Sequence, residues 1–255
     1  MQALIDACKQ PDYPAAIAVV ISNTPQAQGL ERAANAGIPA MIVDHTYFKG
    51  DKAKFENTVA DIAEAHGANF VALAGFMRIL GPTFLKRFKD KVINIHPSLL
   101  PKHKGLNVHE SVLAAGDTTS GCTVHVVTPG MDEGEIIASR QVAVKKGDTA
   151  DILAARVLVE EHTLYPEVIK QIAQGIVIIR EGHVERPGKV AQNGVTKKEP
   201  EKSSMSHDAH SSTPPVADPA AVKHAQFVWH EFTRASMIAG GFIAVVLILM
   251  ATFLV

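Results

Sequence analysis

Short runs of uninterrupted apolar residues, separated by segments of helical periodicity, constrain this 255-residue chain most tightly. Ala15–Ser22 (AAIAVVIS), Ala40–Val43 and Phe70–Leu73 carry no polar face that could be left in water, and Val92, Ile93 and Ile95 read as the end of another buried strand. Such strands are buried on both sides, which is the signature of a parallel sheet covered by helices. Between them, Pro25–Ala36 closes at Gly37. Asp51–His66 closes at Gly67, with Phe55, Val59, Ile62 and Ala63 forming one stripe. The pattern predicts an α/β, doubly wound, mostly parallel sheet. Further on, Val108–Ala115 reads as a helix and Thr149–Gln174 as a long one. Cys122–Val127 and Glu135–Val144 read as strands joined by the turn Thr128–Gly134, and Ile176–Arg180 with His183-Val184 as a closing hairpin.

One strand end carries chemistry. In Lys91–Pro101 (KVINIHPSLLP) the strand breaks at Pro97, and Asn94 and His96, two apart, face the same side of an extended backbone. Carboxyl ends of strands are where open α/β sheets bind ligands. An Asn and a His before a Pro also serve as plain loop-closing residues, so the pair alone does not decide the matter. Met131-Asp132-Glu133-Gly134 is likewise good turn chemistry by composition.

Composition narrows the classes. A formal charge of −1 gives no basic field for nucleic acid, and Cys8 and Cys122 have no metal-type spacing and read as reduced thiols of a cytoplasmic domain. From Arg186 the chain turns polar and Pro-rich, so residues 1–185 are expected to form the folded domain and 186–221 a disordered linker, in which His207 and His210 are expected to be solvated. Residues 222–255 end in an uncharged stretch, Met237–Val255, long enough at about 1.5 Å per residue to approach the ~30 Å bilayer core. It is expected to be a single-pass transmembrane helix. Lys223 and Arg234 before it place the preceding domain in the cytoplasm.

Gly75-Phe76-Met77-Arg78-Ile79-Leu80, Asn94-Ile95-His96-Pro97-Ser98-Leu99-Leu100-Pro101 and Met131-Asp132-Glu133-Gly134, in this order, resemble the phosphoribosylglycinamide formyltransferase family over roughly Met1 to Ala173. The resemblance implies formyl transfer from 10-formyltetrahydrofolate to the amine of glycinamide ribonucleotide, with no metal and no nucleic-acid partner. It implies Asn94, His96 and Asp132 as the catalytic trio, with His96 held as an imidazolium by Asp132. Lys52, Met77, Arg78, Ile79, Leu80, Asn94, Thr128 and Met131 would contact the folate. Ile95, Pro97 and Glu161 would contact the amine substrate. His125 is expected to support His96, whereas His103 and His109 are expected to be solvated. The family's first strand and its glycine-rich phosphate turn would lie before Met1, which leaves one central sheet position empty. Trp229-His230-Glu231-Phe232-Thr233, leading into the apolar stretch, is similar to the small single-helix subunit IV of bacterial haem–copper oxidases, implying a membrane and a respiratory oxidase as partners. A formyltetrahydrofolate deformylase, or an impaired remnant fused to an oxidase subunit, are the alternatives.

Overall fold

The computed structural model describes residues 1–187 and 243–249. After a short helix α1 (Gln2–Cys8) the chain alternates β1 (Ala15–Ser22), α2 (Gln28–Asn35), β2 (Ala40–Ile42), α3 (Lys52–Ala65), β3 (Phe70–Ala74), α4 (Pro82–Arg87), β4 (Val92–His96) and α5 (Val108–Ala114). Then follow β5 (Thr119–Val126), β6 (Ile136–Ala143), the long α6 (Ala150–Ala173), a hairpin of β7 (Ile178–Arg180) and β8 (His183–Glu185), and finally β9 (Ile243–Leu249). The helix starts follow local chemistry. Asp51 accepts from Lys54 N–H at 2.9 Å, and Thr149 Oγ1 from Ile152 N–H at 3.3 Å.

The main sheet has the order β2-β1-β9-β3-β4-β5-β6, parallel from β2 through β4 and antiparallel at β5 and β6. Side chains of the parallel strands alternate between two cores. Val20, Phe70, Ala72 and Ile93 pack with α5 and α6, while Val19, Ile21, Val71, Leu73 and Val92 pack with α3 and α4. Tyr165 of α6 reaches the sheet and donates toward Leu73 O (2.8 Å) and Ile93 O (3.2 Å), fixing the long helix over the ends of β3 and β4.

The tail departs from expectation. Ile243–Leu249 is not part of a membrane helix but a strand, paired in parallel with β1 (Val19↔Val246) and with β3 (Val71↔Val246). It occupies the central position that the resemblance left empty. The reason lies in the ambiguity of the segment: IAVVLIL is apolar throughout, so its periodicity cannot separate a spanning helix from a strand buried on both faces. A parallel slot with unpaired N–H and C=O groups on both sides favours the strand. No helix among the described residues is long and apolar enough to cross a membrane. The remainder of the expected span, and residues 188–221 of the expected linker, lie outside the described residues. Arg186, expected to begin that linker, is instead docked: its guanidinium donates to Ile137 O at 2.6 Å and to Gln171 Oε1 at 3.4 Å.

Val246→Pro removes a ladder N–H in mid-sheet. Losing that bond and leaving its partner unpaired costs about 1–3 kcal/mol, which lowers the melting temperature of the full chain by about 3–10 °C. A tail lying outside the sheet would leave thermal unfolding unchanged.

Candidate active site

The antiparallel pairing of β4 with β5 sets Asn94 opposite His125 and His96 opposite Thr123. Beyond β5 the turn Thr128–Gly134 folds back over β4, with Asp132 in the left-handed region (φ 50°). Gly134 is needed for that closeness, because a Cβ there would run into the Val126 carbonyl oxygen. The result is a four-residue network. Asp132 Oδ2 lies 3.5 Å from His96 Nδ1, and Asp132 Oδ1 lies 3.5 Å from His125 Nε2. Asn94 Nδ2 is 3.3 Å from His125 Nε2. His125 Nδ1–H donates to Val126 O at 2.9 Å, so Nε2, shared between Asn94 Nδ2 and Asp132 Oδ1, accepts one Asn94 hydrogen when the ring is neutral and donates to Asp132 when the ring is protonated; in either case an Asn94 amide hydrogen is left to a ligand.

The loop after β4 is tied down as firmly. Thr123 Oγ1 donates to Ser98 O (2.7 Å) and accepts from Leu100 N–H (3.1 Å), and Ser98 Oγ donates to Lys102 O (2.7 Å). Two backbone groups from this loop enter the site: His103 O accepts from His96 Nε2–H at 2.9 Å, and Gly105 N–H donates to Asp132 Oδ2 at 3.0 Å.

Charge states follow from these contacts. Burial tends to raise the Asp132 pKa, but His125, the Gly105 N–H and the nearby His96 ring outweigh it and hold the carboxyl at about 2. His96 moves the other way from the sequence expectation. Burial lowers its pKa and prevails over the His103 carbonyl and Asp132, which both raise it, so the resting ring is biased toward neutral.

The remaining expected site residues fall into separate places. Met77, Arg78 and Ile79 are exposed and Leu80 buried in the loop after β3. That loop follows a strand parallel to β4 and so opens at the same sheet edge as Pro97. Arg78 lies over the Phe55 ring at 5.7 Å. Lys52 is not in the network; it pairs with Glu56 at 3.7 Å. Ile95 and Pro97 are half-buried beside the trio, Thr128 half-buried and Met131 exposed on the turn. Glu161 stands apart from the trio, with the Met1 amino group and Cys122 as electrostatic neighbours, and burial raises its pKa to about 7.

Three residues were misjudged or missed by sequence reasoning. Glu56, 3 % exposed, accepts from Gly81 N–H at 2.7 Å and anchors the Met77–Leu80 loop. It sits next to the apolar stripe of its helix, and a lone acid there reads as solvated. His109, expected in solvent, has a buried Nδ1 with no partner, and burial lowers its pKa. His103, also expected in solvent, has a side chain only 13 % exposed. Among the described residues, no group of three His, Cys, Asp or Glu is arranged to hold a metal ion.

A folded-state pKa depressed from 3.8 to about 2 makes Asp132 stabilising above pH 4, by about 2 kcal/mol, and that contribution is lost as the pH falls from 4 toward 2. Acid unfolding followed by circular dichroism should therefore show Asp132→Asn less stable at pH 6 and converging on the parent chain near pH 2.

Comparison with known proteins identifies the family of the chain. Residues 1–169 match the family described as "Formyl transferase". The chain is 44 % identical over 181 residues to the trifunctional purine biosynthetic protein adenosine-3 of Bos taurus, 71 % of this chain but only 18 % of that much longer protein. It is 38 % identical over 189 residues to phosphoribosylglycinamide formyltransferase of Haemophilus influenzae, which covers 74 % of this chain and 89 % of that one. The crystal structure of glycinamide ribonucleotide transformylase 1 from Symbiobacterium toebii superposes with a TM-score of 0.70 at 42 % identity, covering 72 % of this chain and 87 % of that one. By its matched sequence and its fold, this chain belongs to the formyl transferase family.

Proposed function

We propose that this chain transfers the formyl group of 10-formyltetrahydrofolate to the primary amine of glycinamide ribonucleotide, the reaction named for its relatives in purine synthesis. The observation that carries the reading is the convergence of His96 and His125 on one ionised carboxylate, Asp132, with Asn94 set against His125, where a strand end meets two loops.

The chemistry follows from the contacts. The substrate amine attacks the formyl carbon, and the carbonyl electrons move onto oxygen. The Asn94 hydrogen not committed to His125 is a donor for that oxyanion. The new C–N bond leaves an ammonium whose proton must travel. Asp132 accepts it, directly or through a water, and relays it to His96 Nδ1, whose lone pair faces the carboxylate while Nε2–H is held by His103 O. The imidazolium formed then returns a proton to the departing folate nitrogen as its bond to the formyl carbon breaks. In this reading His96 gains its charge during turnover rather than holding it at rest.

Met77, Arg78, Ile79, Leu80, Thr128 and Met131 are assigned to the folate, supported by the exposure of three apolar side chains, Met77 (53 %), Ile79 (49 %) and Met131 (51 %), around the site. Lys52 would act there only at a distance, beside Glu56. Ile95, Pro97 and Glu161 are assigned to the amine substrate. The unpaired state of Cys8 and Cys122 accords with a cytoplasmic enzyme.

The purified full chain, given both substrates, should yield formylated glycinamide ribonucleotide. Formate released without the amine would instead establish a hydrolase. Asn94→Ala and His96→Ala should each lower kcat by about 10²–10³. Because Glu161 titrates at about 7, its charged form is lost below that pH. KM for the amine substrate should rise as the pH drops from 8 to 6, and Glu161→Gln should flatten that dependence.

A further inference from the structure

His103 is remote in its side chain and central in its backbone. Its carbonyl oxygen accepts the His96 Nε2–H at 2.9 Å, and two residues later Gly105 N–H meets Asp132 Oδ2 at 3.0 Å. His103 takes a left-handed backbone conformation (φ 53°), which a non-glycine residue adopts only where its surroundings hold it. What holds it is visible. His103 Nδ1 lies 2.7 Å from Ser111 Oγ on α5, and Nε2 lies 2.8 Å from Asp117 Oδ2 in the segment after α5. Lys102 Nζ adds a 3.3 Å contact to the same carboxylate.

The bonding is one-directional where it matters. An ionised Asp117 only accepts, so His103 Nε2 carries a hydrogen; the Ser111 hydroxyl donates to or accepts from Nδ1, so the tether survives either charge state of the ring. A Ser–His–Asp line of this kind serves elsewhere as a nucleophilic triad. Here Ser111 spends its own N–H on Asn107 O (3.0 Å) inside a helix and brings no oxyanion donor with it. The line is a tether for the loop.

We propose that His103 is a positioning residue for formyl transfer: clamped between Ser111 and Asp117, it presses its carbonyl oxygen onto His96 Nε2 and so locks the neutral His96 ring in the Nε2–H tautomer with Nδ1 open toward Asp132. A carbonyl can only accept, so the other tautomer would set two lone pairs against each other at 2.9 Å, a closer clash than the 3.5 Å that separates a bare Nδ1 from Asp132 Oδ2. With Nδ1 unprotonated, the relay from Asp132 has somewhere to deliver its proton. Without the clamp, Nδ1–H facing the Asp132 carboxylate becomes the competing tautomer and blocks that step.

The kinetic arm of the test rests on the formyl-transfer reading; the spectroscopic arm does not. Long-range ¹H–¹⁵N correlation spectra of the ¹⁵N-labelled full chain should show neutral His96 as the Nε2–H tautomer. Asp117→Ala, and the Ser111→Ala/Asp117→Ala pair, should give a tautomer mixture and lower kcat by roughly tenfold with KM for both substrates unchanged. Asp117→Asn, whose amide oxygen still accepts from His103 Nε2–H, should restore the single tautomer and most of kcat. Ser111 is exposed, so Ser111→Ala alone offers a folded partial release. A parent chain showing the Nδ1–H tautomer, or an Asp117→Ala chain that loses kcat with its tautomer unchanged, would overturn the proposal. Tautomer mixing in a chain with no transferase activity would uphold the clamp and reject the transferase reading instead.

Discussion

The antiparallel register between β4 and β5 is the constraint on which the site depends. A parallel sheet alone would bring Asn94 and His96 to its carboxyl edge with nothing opposite them. The switch to antiparallel at β5 places His125 directly across from Asn94, and the turn that follows is short enough to swing Asp132 back over the same strand. A slip of one residue would send Asn94 and His125 to opposite faces of the sheet. Thr123, on the same strand, holds Ser98 and Leu100 of the loop, so one strand fixes both halves of the site.

That placement creates opposed electrostatic pressures. Burial favours neutral groups, and it wins at His96 and Glu161. Hydrogen bonds win at Asp132, which keeps its charge because the loop amide and His125 serve it. A neutral imidazole beside an ionised carboxylate is a poised proton acceptor.

Much of this was legible in the chain. The apolar runs announced a parallel sheet because a strand with no polar face has to be covered on both sides. Asn94, His96 and Asp132 stood out because polar side chains broke an apolar strand and a turn. Glu56, His103 and His109 did not, since a charged or ring-bearing residue on a helix or loop reads as solvated until a distant backbone group claims or encloses it. Helix α4 was absent from the sequence reading, being only six residues long. The tail was misread for a related reason. Seven aliphatic residues satisfy a bilayer and a sheet interior equally, and only the vacancy between β1 and β3, a property of the tertiary fold, discriminates between them.

The account holds that Asn94 and Asp132 act as one unit, joined through His125, rather than as independent helpers. A double-mutant cycle measured by single-turnover formyl transfer tests this directly. If the network is a unit, Asn94→Ala/Asp132→Asn will be hardly slower than the worse single variant, a coupling of at least about 1 kcal/mol. If the two losses simply multiply, the residues do not share a transition state and the account is wrong.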